Sequence, residues 1–156
     1  MIHVPMADWQ ASDDPSTVFL VPGLGSCVGL VVYDPAAGIA GMAHIMLPTS
    51  NGRPGERPAK FADSAVELLA EVLVDRGARR DRLLAKAAGG AQMFRSQGTF
   101  MAVGSRNADS VRATLEAAGI PILASDLGGT WGRTIRFFMG TWLLNVRSPG
   151  RPDLDL

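Results

Sequence analysis

Two apolar runs joined by a short turn constrain this chain more than any other feature. Cys27 to Tyr33 (Cys-Val-Gly-Leu-Val-Val-Tyr) and Ile39 to Leu47 flank Asp34-Pro35-Ala36-Ala37-Gly38, a cluster of turn formers. The runs are expected to pair as a hairpin, the first strand buried along most of its length. Further strands are predicted at Thr17–Val21, stopped by Pro22-Gly23, at Leu83–Ala88 and at Ile120–Ala124. Thr134–Met139 and Trp142–Arg147 read as a second hairpin. Lys60 to Arg76 is a helix, with Phe61, Ala65, Leu68, Leu69, Val72 and Leu73 on one stripe and Gly77 as its stop. Asn107 is predicted to cap a second helix over 108–118, ended by Gly119. Hairpins mixed with two helices point to an α+β layered domain with a mixed sheet.

With 156 residues, 47% of them hydrophobic and 19% charged, the chain can build one self-supporting core, which excludes intrinsic disorder. A single domain over 1–156 is expected, with 1–16 and 148–156 as peripheral tails. Fifteen basic residues balance fifteen acidic ones, so a nucleic-acid partner is not expected. The first 52 residues carry Asp8, Asp13, Asp14 and Asp34 and no Lys or Arg, an asymmetry that reads as solvated surface. Cys27 is the only cysteine, and His3 and His44 are the only histidines. No intrachain disulfide or thiolate-built zinc site can form. A lone thiol with no export signal and no long apolar run is read as cytoplasmic, without membrane insertion. No long apolar surface stripe remains after the core is assigned, so a monomer is expected.

Cys27 follows Gly25-Ser26 at a bend where a strand begins. An average free cysteine is a small buried hydrophobe, but backbone N–H groups at such a bend can receive an oxyanion. His44 lies on the returning strand. With the turn centred near residue 36, cross-strand partners have numbers that sum to about 71–73, a range that permits Cys27 and His44 to face each other with Cβ atoms roughly 5 Å apart. A slip of one residue turns them to opposite faces. Thiol beside imidazole is a nucleophile–base unit. The imidazole needs an orienting group, and Asp34 is at the wrong end of the hairpin. A backbone carbonyl on the strand ending at Val21 can take that role. Gly89-Gly90 and Gly128-Gly129 lack the Gly-Lys-Ser/Thr of a phosphate loop and read as turns. Asp63, Asn107 and Asp126 read as caps or loop ties.

Gly23-Leu24-Gly25-Ser26-Cys27-Val28-Gly29 and Ala43-His44-Ile45-Met46-Leu47-Pro48 closely resemble the CheD family of bacterial chemotaxis. Lys60–Ala65, the 85–94 segment, Gly104–Asn107 and Asp126–Gly129 resemble further family blocks, in family order, so the likeness covers roughly 17–147. The resemblance implies an α/β/β sandwich similar to the catalytic domain of the cytotoxic necrotizing factor toxins. It implies a protein-glutamine deamidase acting on chemoreceptor cytoplasmic helices, with the nucleophile on Cys27 and the base on His44. No metal or organic cofactor is implied. Methyl-ester hydrolysis and binding of the phosphatase CheC are implied as further properties. Gly25 and Ser26 then form the oxyanion and substrate loop. The family's third catalytic residue, usually threonine, falls on Val21, which has no polar side chain. A main-chain carbonyl, of the kind the necrotizing factor toxins are described as using, is the favoured substitute. The other readings are a weakly catalytic module regulating CheC and a thiol amidase acting on another protein.

Overall fold

Every residue of both strands of the central hairpin is buried: β4 (Val28–Asp34) and β5 (Ile39–Ile45) have no exposed position. Such strands need cover on both faces, and the computed structural model, which describes residues 1–93 and 102–156, provides it. One sheet runs β2 (Trp9–Ser12), β5, β4, β6 (Leu84–Gly89), β7 (Ile122–Leu127). The second runs β1 (Ile2–His3), β3 (Val18–Leu24), β8 (Arg133–Phe138), β9 (Leu143–Arg147), β10 (Leu154–Asp155). Pairs β1–β3 and β6–β7 are parallel and the rest antiparallel, so both sheets are mixed.

Alternation along β4 and β5 divides the interior into two layers. Val28, Leu30, Val32, Ala43 and Ile45 face helices α1 (Ala62–Asp75) and α2 (Val103–Ala118), where Leu69, Leu73, Val111 and Leu115 meet them. Val31, Tyr33, Ala40 and Met42 face the second sheet and pack on Phe19, Val21, Ile135 and Phe137. Helices, sheet and sheet therefore stack as the α/β/β sandwich expected. The second sheet is covered on one side only, and β8 alternates buried with half-buried residues.

Several elements differ from their sequence reading. The 1–16 segment supplies β1 to one sheet and β2 to the other, with Val4 fully buried between them. Residues 148–156 include β10, and Lys86 Nζ donates to the carbonyls of Trp142 and Leu156 at 2.6 and 2.8 Å. Pro22-Gly23 does not stop β3. The strand passes through as a bulge between Val21 and Leu24, which absorbs the missing proline N–H. Helix α1 starts two residues later than predicted, after a short 3₁₀ turn at Pro58–Lys60, and buries Ala62, Val66 and Ala70 while Leu68 and Val72 lie at the edge. Helix α2 starts five residues earlier than predicted, so Asn107 is inside it and caps nothing. Gly119 ends α2 in the left-handed conformation as read. Phe94, the last residue of the 85–94 block, lies outside the described residues.

Candidate active site

Cys27 is delivered by the segment between the β3 bulge and the start of β4. Three bonds hold that segment. Gly90 N–H donates to the Cys27 carbonyl at 2.8 Å, and Ala91 N–H donates to the Gly25 carbonyl at 2.9 Å. Asn107 Nδ2 donates to the carbonyls of Ser26 and Met46, both at 2.9 Å. Gly89 lets the two chains meet, since its φ is +116° and a Cβ there would strike the Cys27 carbonyl oxygen. The acceptors of the bend are thus occupied while its donors stay open. Among the described residues the N–H groups of Gly25, Ser26 and Cys27 have no acceptor. The Cys27 thiol is half-buried, and burial pushes its pKa above the ordinary value.

The ladder sets His44 opposite a residue two positions beyond Cys27. Its partner in β4 is Gly29, and Val28 pairs with Ile45. Continuing that register past Val28, His44 is diagonal to Cys27 on the same face, not directly opposite it. Diagonal neighbours remain within reach of long side chains. The ring is almost fully buried, and its Nδ1 lies 3.4 Å from the Val4 carbonyl. A carbonyl only accepts, so this contact places the proton on Nδ1 and leaves the Nε2 lone pair free as a base. Burial lowers the His44 pKa; the Val4 contact opposes that and the nearby charge of His3 adds to it. Both shifts favour an uncharged thiol and an uncharged imidazole before substrate arrives.

The carbonyl beside His44 Nδ1 belongs to Val4, not to the strand that ends at Val21. Val21 is fully buried in the layer between the sheets and pairs with Ile135. The crossing segment brings Val4 in. Val4 N–H donates to the Leu20 carbonyl, Ala7 N–H to the His44 carbonyl, and His44 N–H to the Asp8 carbonyl. Local sequence carries no signal for this, because 1–16 meets His44 only through sheet pairing.

Gly25, Ser26, Cys27 and His44 line one cavity of about 530 Å³, together with Met6, Met46 and Met93. Val103 of the first turn of α2 also lines it. Asn107 ties two loops from inside α2, through the Ser26 and Met46 carbonyls. It sits at i−4 from Val111 and i−8 from Leu115, so extending the apolar stripe one turn back exposes a buried amide. Asp63 and Asp126 are loop ties. Asp63 accepts from Ser50 N–H and Thr49 Oγ1, and Asp126 pairs with buried Arg133 at 2.7 Å. Asp34 is occupied by Arg82 at 2.9 Å, far from the ring. Among the described residues no group of three or more His, Cys, Asp or Glu could hold a metal ion, and no helix is long and apolar enough to cross a membrane.

Residues 46–148 match the family described as CheD chemotactic sensory transduction. A relative from Desulfitobacterium hafniense, "Probable chemoreceptor glutamine deamidase CheD", is 48% identical over 150 residues, covering 95% of this chain and 93% of that one. "Chemoreceptor glutamine deamidase CheD" from Halalkalibacterium halodurans is 47% identical over 160 residues, covering 100% and 98%. Among solved structures, the crystal structure of YlmD from Geobacillus stearothermophilus superposes with a TM-score of 0.50 at 16% identity. It aligns with 78% of this chain, which spans half of that protein's length, and it bears on the fold alone.

Proposed function

The chain belongs to the CheD family, and from that premise we propose that it deamidates glutamine side chains of chemoreceptor cytoplasmic helices to glutamate. The observation that carries the reading is one cavity lined by Cys27 and His44, with His44 Nδ1 against a carbonyl.

His44 Nε2 takes the proton from Cys27 Sγ as the sulfur attacks the glutamine Cδ. Both groups start uncharged, so the ion pair forms during attack. The oxyanion is received by the open N–H groups of the bend, with Cys27 and Ser26 in first place. One such donor is worth ~3 kcal/mol in other acyl-transfer enzymes. The imidazolium protonates the departing nitrogen, ammonia leaves, and a glutamyl thioester remains. His44 then deprotonates water, which attacks the thioester and frees the Cys27 thiol. Each proton that His44 takes it gives back, so the cycle consumes only glutamine and water. Methionine side chains at the rim suit a substrate whose surface varies, since thioethers repack easily.

The reading extends to a cytoplasmic monomer that also cleaves receptor glutamyl methyl esters and binds CheC. The competing reading, a weakly catalytic module that regulates CheC, drew on Val21. The Val4 carbonyl beside His44 Nδ1 gives the ring a partner that does not depend on the side chain at 21, which favours the enzyme reading over the module. Wild type and C27A are incubated with receptor cytoplasmic fragments, and glutamine-to-glutamate conversion is followed by mass spectrometry. Conversion by wild type and none by C27A is expected. Turnover by C27A would end the proposal, and CheC capture without turnover by wild type would favour the module.

A further inference from the structure

The cavity holding Cys27 and His44 does not end at the nucleophile bend. Gly23, Gly25 and Met93 also line a second hollow of about 280 Å³, which continues past Gly132. That hollow shares Thr134 and Pro149 with a third, of about 520 Å³, on the outer face of the second sheet. Together they make one trough running from the dyad past the bulged end of β3.

Charge is distributed unevenly along it. Among the described residues no Asp, Glu, Lys or Arg lines the end at Cys27. The far end is lined by Arg136, Arg147, Arg151 and one acid, Asp153. The fold gathers these arginines for a plain reason. Ile135 and Phe137 of β8 point into the core, so Thr134 and Arg136 point outward. The β8–β9 register sets Arg147 opposite Thr134, one diagonal step from Arg136. Arg151 follows on the turn closed by its N–H to the Ser148 carbonyl, its guanidinium 3.5 Å from the Trp131 ring centroid. Asp153 is engaged by Arg147 at 3.1 Å, and Asp155 accepts from Asn145. Among the described residues Arg136 has no carboxylate within ion-pair distance. With Arg147 paired to Asp153, Arg136 and Arg151 leave the hollow with an excess of positive charge that favours a further anion.

We propose that this basic end recognises an acidic side chain of the substrate segment while the target glutamine occupies the other end at Cys27. The occupant is an acidic stretch of protein lying along the trough, its carboxylate held by Arg136 and neighbouring Arg147 and Arg151. Guanidinium suits this task because its planar fork binds carboxylate through two hydrogen bonds. The inference rests on the reading of Cys27 as a glutamine-directed nucleophile, and it adds what selects among glutamines.

Two peptides test it, sharing one target glutamine and differing only in whether the flanking residues are glutamate or serine. Wild type is expected to show a lower KM for the acidic peptide, and this preference is expected to shrink as ionic strength rises. In R136E the ratio of the two KM values collapses about tenfold, as expected for loss of a charge-assisted contact. Using a ratio removes any general loss of folded enzyme. An unchanged ratio in R136E, or no preference in wild type, overturns the inference. Should wild type release no ammonia from either peptide, the deamidase reading fails and binding decides this one. Fluorescence anisotropy of the labelled acidic peptide then shows tighter binding to C27A than to C27A/R136E, or equal binding, which overturns it.

Discussion

His44 Nδ1 lies 3.4 Å from the carbonyl oxygen of Val4, a residue of the segment that passes from one sheet to the other. On the proposed mechanism the ring is oriented by backbone, and the side chain at position 21 is free to be apolar. V21T places a hydroxyl in a fully buried apolar layer. Val and Thr are not interchangeable there, and an unpaired buried hydroxyl costs about 1–3 kcal/mol. We expect V21T to lose that much stability in urea unfolding while kcat/KM of the remaining folded enzyme changes less than about threefold, under half the factor of ten per 1.4 kcal/mol. A tenfold gain in kcat/KM would mean that the hydroxyl orients the ring better than Val4 does.

The pH profile follows from the surroundings of the two reacting groups. Burial, opposed by Val4 and assisted by His3, holds the His44 pKa below its ordinary value of 6.5. The acid limb of kcat/KM is therefore expected below 6.5, since the base works only when neutral. Replacing His3 by Ala removes a neighbouring charge, so the limb moves toward higher pH. Between the folded His44 value and 6.5 the unfolded chain binds more protons, so stability falls as pH drops through that window. Burial also raises Cys27 above 9.0, so alkylation by iodoacetamide is expected to accelerate only in that alkaline range. An acid limb above 6.5, or rapid alkylation at neutral pH, would contradict an uncharged resting pair.

Asn107 ties α2 to both sides of the cavity through Ser26 and Met46. N107A leaves two half-buried carbonyls without a donor, a loss of about 2–6 kcal/mol at 1–3 kcal/mol for each unsatisfied group. N107D turns an acceptor toward two acceptors and is expected to be worse. Both variants should lower kcat about tenfold or more, because misplacing a reacting group by an ångström costs on the order of a hundredfold. Thermal unfolding and kcat measured together check this. Full kcat in either variant would show that the bend keeps its shape without the amide.

What could be read from the sequence is what local chemistry determines. The β4–β5 hairpin was legible because Asp34-Pro35 and Gly38 punctuate two apolar runs, and Gly119 because it ends an amphipathic helix. The register of the hairpin was legible only to within two residues, since the choice of Gly29 over Cys27 as the partner of His44 depends on packing above and below the ladder. Residues 2–12 carry weak local signals, and they form strands only because β3 and β5 offer unpaired edges. The start of α2 was missed because Val103-Gly104-Ser105 has no capping side chain, and Ala102 caps nothing. Pro22-Gly23 read as a stop because a bulge is permitted by the neighbouring strand, here β8, and not by the two residues themselves.

Gly29 sits directly across the ladder from His44, and a Cβ there would collide with Cδ1 of Ile135 from the opposite sheet. The glycine is a matter of distance between sheets, since its φ is not in the left-handed region. G29A is therefore an overpacking substitution and is expected to cost about 1–3 kcal/mol. I135V removes the colliding methyl and alone costs ~0.5–1.5 kcal/mol. If the collision is the cause, the two changes offset each other. The double variant should be more stable than the sum of the single losses by at least ~0.5 kcal/mol, the range seen for residues in contact. Activity tracks the same geometry, because a methyl at 29 that pushes the sheets apart also moves the ring opposite it away from Val4. Urea unfolding of the four proteins gives the coupling directly. Additive losses would mean that position 29 tolerates a side chain and that the spacing around His44 is set elsewhere.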